Sequence, residues 1–238
     1  HHTHVWYTSK MADVENMMTF QPPAEPKIYH IVHYDRLPSI ISDGFIFSDF
    51  EVQQRQPGGT NIGMNKIKAR RMINTLNSHT NLTDGQCVPF YFCPRSIMLY
   101  LIHKANHPDI TYMGGQNNIV HLVSDLMQTV HWANSQQLRW AFSLSNAGAN
   151  YFEDRADLQN LNEVNWPAVS SNTWSGNGVP PGIKEAKQSE FLVENRFPWT
   201  LVESIGIAQN TAVGNTVAQI LNASVQRPQL NFQPTWYY

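Results

Sequence analysis

Charge is what this chain has least of. Asp, Glu, Lys and Arg make up 14% of its 238 residues, 16 basic against 18 acidic, where a globular domain carries about a quarter. So sparse and balanced a set excludes a disordered charged tail and a charge-laced coiled coil. It also excludes a protein that coats duplex DNA, which shows a basic surplus; any nucleic-acid contact here is local and short. Cysteine is nearly absent. Cys87 and Cys93 bracket the run "VPFYF" and offer neither a disulfide framework nor metal-site spacing, which favours a reducing cytosol. No apolar run approaches the ~18 residues of a membrane span, and no signal-peptide core is visible. Neither a GxGxxG after a strand nor a P-loop occurs, which removes both glycine-rich nucleotide sites.

Apolar residues are plentiful: 42%, with 7 Trp, 9 Tyr and 11 Phe, enough for a sizeable core. The start, "HHTHVWYTSKMADVENMM", reads as part of an expression tag, so His1, His2 and His4 enter no metal argument. "QPPAEP" (21–26) is too proline-rich for a helix or central strand. Residues 1–26 are therefore expected to be tag and disordered lead-in, and 27–238 a single domain. "KIYHIVHY" has the makeup of a strand, and "RLPSIISDG" of a helix stopped by Gly44. "QQRQPGGTN" reads as a loop, and residues 62–76 as a helix with Ile62, Ile67, Ile73 and Leu76 along one stripe. "CVPFYFCPR", "NIVHLVS", "RWAFSLS" and "VESIGIAQN" read as strands, "SIMLYLIHKA" and "TAVGNTVAQILNAS" as helices. Residues 146–189 read as one long irregular polar stretch, which in a compact domain is usually functional. Strands and helices mix without strict alternation, so the fold class is α+β with a mixed sheet.

"KQSEFLVENRFPW" (187–199) sets Glu190 directly before three apolar residues of a buried strand. A charged strand edge explains that, and so does a catalytic carboxylate. "NKIKARR" places Lys66, Lys68, Arg70 and Arg71 on one helix, either as a solvated face or as an anion site for a pyrophosphate or strand phosphates. His30 and His33 point to opposite faces of the first strand, so joint metal ligation is not expected. The aromatics of "FYF" are core, or line a cleft where a planar ring can stack. Cys–His hydrolysis through Cys87 or Cys93 lacks any activating context.

Taken together, "IYHIVH", "ARR", "VPFYFCPRSIMLY", "KQSEFLV" and the closing "WYY" resemble the DarT toxins, DNA ADP-ribosyltransferases of toxin–antitoxin pairs. The likeness runs from about Lys27 to Tyr238. It implies an ADP-ribosyltransferase fold, a split mixed sheet with NAD in the cleft between its halves and no metal. His30, Tyr91, Met98 and Arg71 then match positions that hold NAD. Glu190 matches the catalytic glutamate and Arg71 the essential arginine. Asn146, Arg70 and Trp174 fall where single-stranded DNA is received. The implied partners are single-stranded DNA and a macrodomain antitoxin, in the cytoplasm and without a membrane. Transfer to RNA or protein, plain NAD hydrolysis, or a silent NAD- or DNA-binding module are the alternatives. Thymidine-modifying relatives carry a "TD-x-H" turn where this chain reads "SLSNAG", with Asn146 in place of the histidine. Because neutral Asn is no base, that departure tilts the expected target slightly from thymine toward guanine, the other base of the family.

Overall fold

The computed structural model describes residues 18–238, so the tag-like start lies outside the described residues. The expected disordered lead-in is docked where it is described. Phe20 donates its backbone N–H to the Asn162 carbonyl at 2.7 Å, and the Pro26 carbonyl accepts from Leu126 at 3.0 Å. The proline-rich run has few N–H groups to satisfy, and Phe20 covers the core.

The strands are β1 (Lys27–His33), β2 (Phe45–Phe47), β3 (Cys87–Tyr91), β4 (Ile119–Asp125), β5 (Trp140–Asn146), β6 (Asp154–Arg155), β7 (Ser189–Glu194), β8 (Arg196–Pro198), β9 (Ser204–Ile207) and β10 (Gln229–Phe232). Around them lie α1 (Leu37–Asp43), α2 (Asp49–Arg55), α3 (Asn65–Arg71), α4 (Ile97–Lys104), α5 (Leu126–Ser135), α6 (Trp166–Ser170), α7 (Ile183–Lys187) and α8 (Thr211–Leu221). Among the described residues, eight strands form one sheet in the order β10-β9-β4-β1-β3-β7-β5-β6, and β2 pairs with β8. Among the described strands only β9 and β10 run parallel, so the sheet is mixed and the fold α+β.

The sheet is nearly split at its middle. β1 holds seven registered pairs with β4 but one with β3, Tyr29 opposite Tyr91. Pro89 accounts for the gap, since it has no N–H for a ladder with β1. Its carbonyl turns instead to the His30 ring, Nδ1 at 2.7 Å. Beyond the split, β7 is covered on both faces, which is why "FLV" reads as continuous apolar character. Phe191 and Val193 enter the main core with Phe90, Phe142 and Phe197. Leu192 enters a smaller cluster with Leu76, Leu82 and Ala141 on the other face.

Three sequence expectations change. The helix expected over 62–76 is limited to α3. Ile62 precedes the helix and joins Met64, Leu99 and Ile102, Ile73 is 77% exposed, and Thr75 bridges to Thr83 as extended chain. Residues Gln53 to Arg55 belong to α2 rather than to a loop, because the Ser48 side chain caps its first turn. The stretch 146–189 is not irregular throughout: it holds β6, α6 and α7, and Leu161, Val164, Trp166 and Val169 reach the main core.

Truncating the fully buried Phe191 tests how far β7 depends on the main core. Phe191→Ala is expected to cost about 3–5 kcal/mol, read as a lower urea midpoint, whereas a shift under about 1 kcal/mol would place the ring outside the core.

Candidate active site

Alternation along β7 puts Glu190 on the same face as Leu192, with Tyr91 opposite it across the β3 ladder. A register shift between Phe142 and Asn146 marks a bulge in β5. There the Ser143 hydroxyl accepts the Glu190 N–H at 2.9 Å. The bulge replaces a ladder bond with a side-chain bond and fixes the direction in which the carboxylate leaves the sheet.

The carboxylate meets Arg71 at the C-terminal end of α3. Arg71 Nη2 lies 2.7 Å from Oε1 and 2.6 Å from Oε2 of Glu190, and its Nη1 donates to Asp84 Oδ1 at 3.0 Å. One guanidinium thus stands between two carboxylates. Two glycines let the flanking chain come this close to α3. A Cβ on Gly85 would sit 2.7 Å from Met72 Sδ and 3.0 Å from the Arg71 carbonyl carbon; one on Gly148 would sit 2.8 Å from Ile67 Cγ2.

All three charged groups are buried. Burial opposes the Arg71 charge, but the Asp84 and Glu190 carboxylates outweigh it and hold the guanidinium above its ordinary range. Burial also pushes Asp84 up, against the pull of Arg71 and with help from Glu190, to about 7. Tyr91 is raised by burial and then by Glu190, so its phenol stays protonated. Burial lowers His30 to about 4 despite its bond to Pro89. The ring is neutral, and a carbonyl partner requires its Nδ1 to carry the proton, leaving Nε2 free to accept.

Around this cluster lies a cleft of about 640 Å³ at the split in the sheet. His30, Tyr91, Met98, Arg70, Arg71, Asn146 and Glu190 all line it. Trp174 does not; it is 8% exposed and edge-on to Tyr100 at 5.0 Å, the position of a loop anchor rather than a stacking platform. All four cations of "NKIKARR" line the cleft, and each has a partner of its own. Lys66 faces Asp109, Lys68 pairs with Asp49 at 3.1 Å, Arg71 is engaged as above, and Arg70 donates to the Gly148 carbonyl at 2.8 Å. Asn146 also has an internal task, its Oδ1 accepting the Gly148 N–H at 2.9 Å.

Sequence reasoning passed over Asp84. Its only signal is the capping pattern "TDGQ" before β3, in which Thr83 N–H donates to Gln86 Oε1 at 2.9 Å. That pattern announces a turn, not a partner for Arg71. Both cysteines are free and buried, and burial raises both thiols, which disfavours the reactive thiolate. Among the described residues no group of three His, Cys, Asp or Glu is placed to hold a metal, and no helix is long and apolar enough to cross a membrane.

A family model described as "ssDNA thymidine ADP-ribosyltransferase, DarT" matches residues 29–238. A DNA ADP-ribosyl transferase of Thermus sp. (strain 2.9) is 34% identical over 218 residues, 91% of this chain and 98% of that protein. Two solved structures of the Thermus sp. 2.9 DarT align with it. The complex with ADP-ribosylated ssDNA has a TM-score of 0.81 at 32% identity, covering 93% of this chain and all of that one. The complex with NAD+ has a TM-score of 0.76 at 30% identity, covering 92% and 100%.

The state of His30 can be checked through stability. Unfolded, the ring takes a proton near 6.5; folded, only near 4. Between these values the unfolded chain binds more protons, so stability falls as pH drops through that window. Urea midpoints at pH 7 and pH 5 should fall further apart for the wild type than for His30→Gln; equal gaps would mean that the ring is not held neutral.

Proposed function

The chain belongs to the DarT family, and from that premise we propose that it transfers ADP-ribose from NAD to thymine in single-stranded DNA and releases nicotinamide. The observation that carries this reading is the Glu190 carboxylate, buried in the wall of the cleft and gripped through both oxygens by Arg71. One relative, the Thermus sp. 2.9 DarT, is solved in complex with NAD+ and with ADP-ribosylated ssDNA in the same fold.

The chemistry follows from charge. The bond between nicotinamide nitrogen and ribose C1″ breaks with its electron pair going to the pyridinium ring, which leaves neutral and needs no acid. Positive charge develops on the sugar, as in glycoside cleavage. A fixed carboxylate facing that charge, bonded to a ribose hydroxyl, favours the transition state over the ground state. Thymine offers N3, its one ring nitrogen not joined to deoxyribose, which bonds to C1″ and loses its proton. Glu190, at the reacting centre, is the base that takes that proton.

The binding roles follow from the free valences. His30 Nε2 accepts from a ribose hydroxyl of NAD, and Tyr91 and Met98 lie against the nicotinamide half. Arg70 keeps donors for a DNA phosphate beyond the one it gives Gly148. The slight lean toward guanine loses its ground. The Asn146 acceptor is already engaged, so its amide can only donate to a carbonyl, which both bases possess, and the family description specifies thymidine. The base is single-stranded or flipped out, because a cleft of this kind cannot reach into a duplex. A macrodomain antitoxin that removes the mark is the partner implied by the family resemblance, in the cytoplasm where DNA and NAD meet.

Incubation with NAD and four oligonucleotides, each rich in one base, should add the mass of ADP-ribose to thymine-containing strands alone. Glu190→Ala should lower transfer by about 10³-fold while NAD affinity changes by no more than a few-fold. Nicotinamide release that ignores added DNA would show a hydrolase, and label on polypeptide or RNA alone another acceptor. Undiminished transfer by the variant would refute the role of Glu190.

A further inference from the structure

Arg71 donates to both oxygens of Glu190, so the cation bonded to that carboxylate cancels the charge that faces the sugar. A second carboxylate stands behind it. Asp84 is 0% exposed, accepts from Arg71 Nη1 through Oδ1 at 3.0 Å, and is absent from the cleft lining. Its Oδ2 has no hydrogen-bond partner among the described residues. A buried carboxylate oxygen left unpaired is costly, and an Asn would clip Arg71 as well if holding the side chain were the only task. We propose that Asp84 is a positioning residue whose negative charge offsets Arg71, so that Glu190 presents a net negative charge to the forming sugar cation. The inference rests on the ADP-ribosyl-transfer reading of the site.

The charge count is simple: one cation against two carboxylates leaves −1, and with Asp84 protonated it leaves zero. Other groups bear on Asp84 from every neighbouring element. Asp49 of α2 and Asp154 of β6 raise it alongside Glu190 of β7. Each of these two has its own partner, Lys68 for Asp49 and the Asn77 and Ser78 N–H groups for Asp154. The Cys87 thiol of β3 stays neutral because burial raises it. Arg71 stays charged throughout. Burial raises Asp84 to about 7, so its charge is lost as pH falls through neutrality.

The test compares the wild type with Asp84→Asn in single-turnover transfer from NAD to a thymine-containing oligonucleotide at pH 6 and pH 8. At pH 8 the variant should be about 10- to 100-fold slower, with KM for NAD within a few-fold and a melting temperature no lower than the wild type's, since burial of the Asp84 charge costs stability. At pH 6 the gap should close to a few-fold, because the wild type has then lost the same charge. Equal rates at pH 8, or a gap of the same size at both pH values, would overturn the proposal; a merely structural Asp84 gives the latter. Should the variant not fold, the wild-type profile decides. A rate that rises through pH 7 and levels off by pH 8 supports the role, and a flat or continuously rising one overturns it. A wild type that transfers nothing to DNA would overturn the reading of the site itself, and this proposal with it.

Discussion

The Arg71 guanidinium, shared between Glu190 and Asp84, is the contact on which the rest of the site depends. It ties the end of α3 to the turn before β3, 13 residues on, and to β7, 119 residues on. Removing the cation would leave two buried carboxylates facing each other without compensation, a far larger penalty than the pair's net worth to stability. A buried ion cluster of this kind is weak support for a fold, but it holds the Glu190 carboxylate in one place. That is what a reaction passing through a sugar cation requires.

The sheet supplies the space for that carboxylate. β1 and β3 meet at a single pair and then separate, because Pro89 cannot continue the ladder and its carbonyl is taken by His30. The gap exposes the faces of β1 and β3 that carry His30 and Tyr91. The bulge in β5 then turns Glu190 toward it. A proline, a histidine and a bulge thus make a cleft from what would otherwise be continuous sheet.

Much of this could be read from the sequence, and the omissions have physical causes. Strands with continuous apolar runs and helices closed by Gly44 or opened by Ser96 fall where pattern and capping place them. α3 was overextended because Ile62 and Ile73 keep helical spacing without sharing a core. The stretch 146–189 looked irregular because its helices are five residues each, too short to show a period. The cations of "NKIKARR" share one helix but find partners elsewhere in the fold, and Trp174, set at the DNA by the resemblance, lies edge-on to Tyr100. Asp84 left no trace beyond a turn signal, since nothing in "TDGQ" marks a partner 13 residues back at the end of α3. Glu190 could be singled out because one charge among buried apolar residues breaks the pattern around it.

A carboxylate held against a developing sugar cation is the central claim, and the isotope effect at the reacting carbon tests it most directly. With deuterium on C1″ of NAD, transfer to single-stranded DNA should show a clear normal secondary isotope effect, as rehybridisation toward an oxocarbenium ion demands. An effect near unity would mean that the base displaces nicotinamide before any cation forms, leaving Glu190 nothing to face.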